Sequence, residues 1–108
     1  MRPIVWLGTS RNDVRSFPDE ARRETGFQLD KVQHGKEPDD WKPINAVGAG
    51  VREIRIREQS GAFRILYVAR FGDAIYVLHA FQKKTQRTRT SDLELAKERF
   101  KSILKVIP

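Results

Sequence analysis

Cysteine is absent from this 108-residue sequence, and its absence excludes several kinds of protein. Without a thiol the chain can form neither a disulfide scaffold nor a thiolate nucleophile. A zinc site would depend on the two histidines, His34 and His79, so we expect no metal and no other cofactor. The sequence also lacks a Walker loop, a dinucleotide-binding glycine fingerprint, a nucleophile elbow and an HExxH motif, which makes hydrolysis by those routes improbable.

Long apolar runs are missing as well. The apolar segment at residues 4–7 is too short for a signal peptide, and no stretch approaches the roughly 20 apolar residues of a membrane-spanning helix. We therefore expect a cytoplasmic protein with no membrane partner. The length predicts a single domain over residues 1–108, built around one modest core.

Positive charge is abundant, and most of the excess is local. The net charge is +7, and residues 51–90 carry nine basic and three acidic side chains, a balance of +6. A concentrated cationic region is the footprint expected for a protein that binds a polyanion, most simply the phosphates of a nucleic acid. A solvated surface and an acidic protein partner remain the alternative explanations of this charge.

Helical patterns dominate the first third of the chain. An S-R-N-D sequence at 10–13 has the form of a capping box and predicts a short helix that carries Val14 and Phe17. Pro18 suits the first turn of a second helix, in which Ala21, Thr25, Leu29 and Val32 share one face. Glycine and proline are frequent at 34–50, which predicts an ordered surface loop.

Strand patterns dominate the rest. Strands are predicted at residues 4–7, 51–57, 62–70 and 74–81. In the second of these, Ile54 and Ile56 point to one side, and Glu53, Arg55 and Arg57 to the other. A second capping box at 91–94 opens a C-terminal helix. The predicted fold class is α+β, with an N-terminal helical hairpin and a C-terminal helix packed on a twisted, mainly antiparallel sheet.

Four basic side chains are the candidates for chemistry. Arg55 and Arg64 project from neighbouring predicted strands, and Lys83 and Lys84 end the next one. RNA supplies its own nucleophile, the 2′-hydroxyl, so a protein need only align it, move protons and stabilise charge. Arginine grips phosphate with a planar fork, and a lysine beside other cations can exchange protons. Such a cluster could cleave RNA without a metal, although simple phosphate binding explains it equally well.

Three segments resemble a known family. They are REIRIR at 52–57, GAFRILY at 61–67 and LHAFQKKT at 78–85, and together they resemble the core of the RelE/ParE toxin superfamily, in its HigB-like, phage-derived branch. The resemblance implies a RelE-like fold and the toxin of a type II toxin–antitoxin pair, a metal-independent endoribonuclease that cleaves messenger RNA at the ribosome. It implies a cognate antitoxin, expected to be a small helix-turn-helix protein, and a catalytic set of Arg55, Arg64, Lys83 and Lys84.

Other basic residues of this region are predicted to bind RNA, namely Arg52, Arg57, Arg87 and Arg89. Some RelE-like enzymes have lysines where this chain has Arg52 and Arg55, and a tyrosine near the C-terminal helix, where residues 88–108 contain none. His79 and Tyr67 are therefore the candidates for proton transfer, although a lone histidine or tyrosine within an apolar strand is more often a packed core residue. Two other functions stay open, a ParE-type inhibitor of DNA gyrase and a nucleic-acid-binding module without catalysis.

Overall fold

The structure, a computed structural model, describes residues 1–69 and 71–106. Its elements are β1 (Ile4–Trp6), α1 (Ser10–Arg15), α2 (Asp19–Gln33), β2 (Trp41–Pro43), β3 (Val51–Glu58), β4 (Gly61–Val68), β5 (Ile75–Lys83) and α3 (Thr90–Val106). The strands form one sheet in the order β1-β5-β4-β3-β2. The predicted α+β class is confirmed. Arg70, which ends one of the predicted strands, lies outside the described residues.

The centre of the sheet is the predicted antiparallel meander. β3 pairs with β4 and β4 with β5, and β1 adds to the free edge of β5 in parallel. The hairpin between β3 and β4 turns at Gly61, whose φ of 135° lies in a region that side chains disfavour. None of the helices in the described ranges is long and apolar enough to cross a membrane.

Each face of the sheet covers a separate apolar cluster. Side chains that alternate along a strand point to opposite faces, and on one face Ile54, Phe63 and Ile65 pack with residues of α1 and α2. On the other face Leu66, Val68 and Leu78 pack against Ala96, Phe100 and Ile103 of α3. This second face also carries the side chains of Glu53, Arg55, Arg64 and Lys83, at positions that alternate with the first cluster.

A β-bulge in β5 changes which side chains face α3. Leu66 is opposite His79, whereas Tyr67 is opposite Val77, so Leu78 is the extra residue. As a result Leu78 and His79, although adjacent in sequence, both contact the α3 side, Leu78 in the apolar cluster and His79 through a hydrogen bond to Asp92.

Four local predictions need correction. The capping box predicted at 91–94 lies inside α3, which begins at Thr90. The predicted loop at 34–50 contains β2, a three-residue strand too short to show alternation, which pairs with β3. Pro18 precedes α2 as its N-cap instead of lying in its first turn. The predicted cap at Ser10 is displaced by one residue, because Thr9 is the N-cap of α1 and Ser10 is helical. The buried hydroxyl of Ser10 instead donates to the Val77 carbonyl, at 3.2 Å.

Alanine substitutions at two glycines are expected to change the stability of the fold in opposite directions. A methyl group on Gly48 would lie 2.5 Å from the buried Phe100 ring, whereas one on Gly26, inside α2, would meet nothing within 4 Å. We expect Gly48→Ala to lower the free energy of unfolding by about 1–3 kcal/mol through overpacking. Gly26→Ala should raise it by about 0.5–1 kcal/mol because alanine is the better helix former. Urea denaturation measures both, and shifts in the same direction would contradict this packing.

Candidate functional site

The strands bring three of the predicted basic residues together on the α3 side of the sheet. Arg55 of β3 is the cross-strand partner of Arg64 of β4, and Lys83 of β5 is the partner of Ala62, two residues before Arg64. Arg57, Arg64 and Lys83 line a cavity of about 310 Å³, which we call the basic cleft. Arg55 lies beside Arg64, so four cations of three adjacent strands border one region of the surface.

A buried carboxylate lies beneath these cations. Glu53 is only 2% exposed, and its Oε1 is 3.6 Å from Arg55 Nε, 3.7 Å from Arg64 Nε and 3.9 Å from Lys42 Nζ. These distances are too long for hydrogen bonds, so the contacts are ion pairs. Strand alternation predicted that Glu53 shares a face with Arg55 and Arg57, but it did not predict that Glu53 is buried. The longer cationic side chains around Glu53 cover it.

Arg64 is buried as well, at 6% exposure, and is not the outward-pointing side chain that strand alternation alone suggested. Its Nη1 donates a hydrogen bond to the Phe63 carbonyl at 3.1 Å. The Nε groups of Arg55 and Arg64 are buried and have no hydrogen-bond partner within residues 1–69 and 71–106. An unpaired buried donor is costly, and the Glu53 carboxylate, 3.6 and 3.7 Å from the two Nε atoms, offsets this cost in part.

The electrostatics of the basic cleft favour proton exchange by Lys83. Burial lowers the pKa of Lys83 and the charge of Arg64 lowers it further, while Glu53 partly opposes both. Burial also lowers the pKa of Arg64, again opposed by Glu53, but a guanidinium remains protonated in proteins. The cleft therefore combines a permanent cation with an ammonium group that loses its proton more readily than usual.

His79 does not line the basic cleft and is held in the packing. It is 6% exposed, and its Nε2 forms a 2.8 Å contact with Asp92 Oδ1 of α3. Its ring stacks on Phe81, with centroids 5.1 Å apart, and its Nδ1 is buried without a partner among the described residues. This pair could not be predicted from the sequence, because Asp92 was visible there only as part of a helix cap.

Several predicted residues lie elsewhere. Arg52 and Tyr67 belong to the opposite face, where Arg52 stacks 3.9 Å above the Trp41 ring and Tyr67 is a core residue. Burial raises the pKa of Tyr67, while a hydrogen bond with Arg52 lowers it. The geometry therefore separates Arg52 and Tyr67 from the basic cleft.

The remaining predicted residues form a second group. Lys84, Arg87 and Arg89 are exposed, and Lys84 and Arg89 border a neighbouring cavity that also contains Phe81 and Asp92. Lys84 does not line the basic cleft, although it borders a small third cavity together with Lys83. Among the described residues, no group of three or more histidine, aspartate or glutamate side chains could hold a metal ion.

Comparison with known proteins gives one result that bears on this site. A family model described as phage derived protein Gp49-like (DUF891) matches residues 12–101. No curated protein matches the chain. The matched segment includes Glu53, Arg55, Arg64 and Lys83, so the whole cation cluster lies within the region that the family model describes.

The pKa of Lys83 provides a test of this geometry. Glu53→Gln should lower it further, because the carboxylate stabilises the ammonium, and Arg64→Gln should raise it toward the ordinary lysine value, because a neighbouring cation is removed. Arg52→Ala, on the opposite face, is the matched control and should leave it unchanged. NMR titration of the labelled lysine side chains measures all three, and a shift with Arg52→Ala equal to that with Arg64→Gln would contradict the proposed arrangement.

Proposed function

The chain belongs to the phage-derived Gp49-like family, and from this premise we propose that it is a toxin that cleaves RNA. The family is commonly associated with RelE-like toxins of toxin–antitoxin systems. The observation that carries the proposal is the basic cleft, in which Arg64 and Lys83 border one cavity and Arg55 and Arg57 add further charge.

In the proposed reaction, Arg64 and Arg55 bind the nonbridging oxygens of the scissile phosphate. The 2′-hydroxyl loses its proton to a water molecule and attacks phosphorus, and the bond to the 5′-oxygen breaks, which leaves a 2′,3′-cyclic phosphate and a 5′-oxygen that takes up a proton. Lys83 supplies the proton that the leaving 5′-oxygen requires, a role for which its lowered pKa suits it. Preorganised cations stabilise the charge that develops on the phosphate, so the scheme requires no metal.

The architecture supports the more specific assignment to RelE-like messenger RNA endonucleases. α1 and α2 cover one face of the sheet and α3 covers part of the other, which leaves the basic cleft open beside α3. An open cationic surface suits entry into the RNA-rich ribosomal A site. We propose a neighbouring antitoxin, a small helix-turn-helix protein, as the partner that restrains this activity in the cytoplasm.

Substitutions in the basic cleft should separate catalysis from folding. Arg64→Lys keeps the charge but loses the bidentate fork, and we expect the cleavage rate to fall by roughly 10²-fold or more. Lys83→Met should impair cleavage more than Lys84→Met, because only Lys83 lines the basic cleft. Primer extension on a message in a reconstituted translation mixture measures cleavage, and thermal melting monitors the fold.

Lys101→Met is the control for this series, since Lys101 is an exposed lysine of α3. It should cleave like the wild type. A greater loss with Lys84→Met than with Lys83→Met would contradict the assignment of Lys83. An intact message together with DNA damage in expressing cells would instead indicate gyrase inhibition.

Salt dependence should show which face binds RNA. Affinity for single-stranded RNA should fall log-linearly with salt, with a slope of roughly −0.7 per phosphate contact. Arg57→Ala should reduce the magnitude of the slope by roughly 0.7, the contribution of one phosphate contact. Arg52→Ala should not change the slope, because Arg52 lies on the opposite face over Trp41. Filter binding across a salt series decides this, and equal flattening by both variants would mean that RNA contacts both faces.

A further inference from the structure

An aromatic ring lies beside Arg64, on the face of the sheet that carries the basic cleft. Phe81 is the cross-strand partner of Arg64 and is only partly buried. It borders a second cavity, of about 290 Å³, together with Gln82, Lys84, Arg89 and Asp92. A cavity of this size accommodates one nucleobase, and it adjoins the residue proposed to hold the scissile phosphate.

The orientation of Phe81 is fixed from behind. The His79 ring stacks on it at 5.1 Å with an angle of 25° between the rings, and Asp92 Oδ1 in turn holds His79. One face of the Phe81 ring is thereby supported by a buried residue. A partly exposed aromatic ring that cannot turn away is the usual platform for stacking an unpaired base.

Asp92 adds a carboxylate to the lining of this cavity. Its Oδ1 contacts His79, and within residues 1–69 and 71–106 its Oδ2 accepts no hydrogen bond. An ionised carboxylate only accepts hydrogen bonds. Adenine, cytosine and guanine each offer an exocyclic amine as a donor, whereas uracil offers only its ring N3–H, which is flanked by two carbonyl oxygens that a carboxylate repels.

We propose that the cavity beside Phe81 is a base-recognition subsite, in which a nucleotide next to the scissile phosphate stacks on Phe81 and donates its exocyclic amine to Asp92. Lys84 and Arg89 hold the phosphates of that nucleotide. This inference rests on the proposed RNA cleavage and adds a preference to it: bases with an exocyclic amine are accepted, and uracil is disfavoured.

The experiment is cleavage of a message with randomised codons by the purified full-length chain in a reconstituted translation mixture, with the cut ends sequenced. For the wild type we expect uracil to be depleted at one position beside the cut. Phe81→Leu, which keeps apolar volume but loses the π face, should lower the cleavage rate by about tenfold or more, and Phe81→Tyr, which keeps the π face, should retain more of the rate than Phe81→Leu. Asp92→Asn should remove the depletion of uracil, because an amide both donates and accepts.

Phe27→Ala is the matched control, since Phe27 is an aromatic residue 54% exposed on α2, and it should change neither rate nor preference. The base preference is a ratio, so it does not depend on how much of a variant is folded. If the wild type shows no base preference beside the cut, or if Asp92→Asn keeps it and Phe81→Leu cleaves at the wild-type rate, the subsite is overturned while RNA cleavage stands. If the wild type leaves the message intact, the proposed function fails and the subsite with it.

Discussion

The arrangement of the site depends on a single buried carboxylate. Arg55 and Arg64 are directly opposite each other on adjacent strands, and like charges in that position destabilise a sheet. Glu53 lies within 4 Å of both guanidinium groups and of Lys42. Its negative charge offsets the repulsion that gathering these cations creates, and removing one partner of such a buried group is strongly destabilising. The same ion pairs therefore stabilise both the sheet and the cation cluster at the basic cleft.

The second constraint is the attachment of α3 to β5 at the bulge. Asp92 contacts His79 at 2.8 Å, and Arg99 Nη1 donates to the Leu78 carbonyl at 2.8 Å, so both residues of the bulge are tied to the same helix. Arg99 Nη2 also donates to Thr9 Oγ1, at the start of α1. These contacts fix where α3 crosses the sheet, and hence how much of the cationic face it leaves uncovered.

Periodicity in the sequence predicted much of the fold because the main strands are long enough to show it. Alternation in β3 placed Glu53, Arg55 and Arg57 on one face and Ile54 and Ile56 on the other, as the structure has them. Arg52 and Arg55 are three residues apart on the same strand, so alternation also places them on opposite faces of the sheet. Applied to Arg52, this rule would have separated it from the basic residues of the other face. β2 escaped prediction because three residues, one of them Pro43, carry no usable pattern.

The remaining features depend on contacts between distant parts of the chain. The burial of Glu53 results from side chains on three strands, and the His79–Asp92 pair joins a strand to a helix across a bulge that no local pattern reveals. Charge counting identified residues 51–90 as the cationic region but could not distinguish Lys83 from Lys84. To distinguish the two lysines one must know where β5 ends and which cavity each side chain borders.

The anchoring of α3 at the bulge also has an evolutionary consequence. Because Asp92 and Arg99 fix the helix to His79 and Leu78 directly, its position does not depend on the connection between β5 and α3. Residues 84–89 are free to change in sequence or length at little cost to the fold. The charge and length of this connection, which carries Lys84, Arg87 and Arg89, can therefore vary among relatives while the sheet and its cation cluster stay the same.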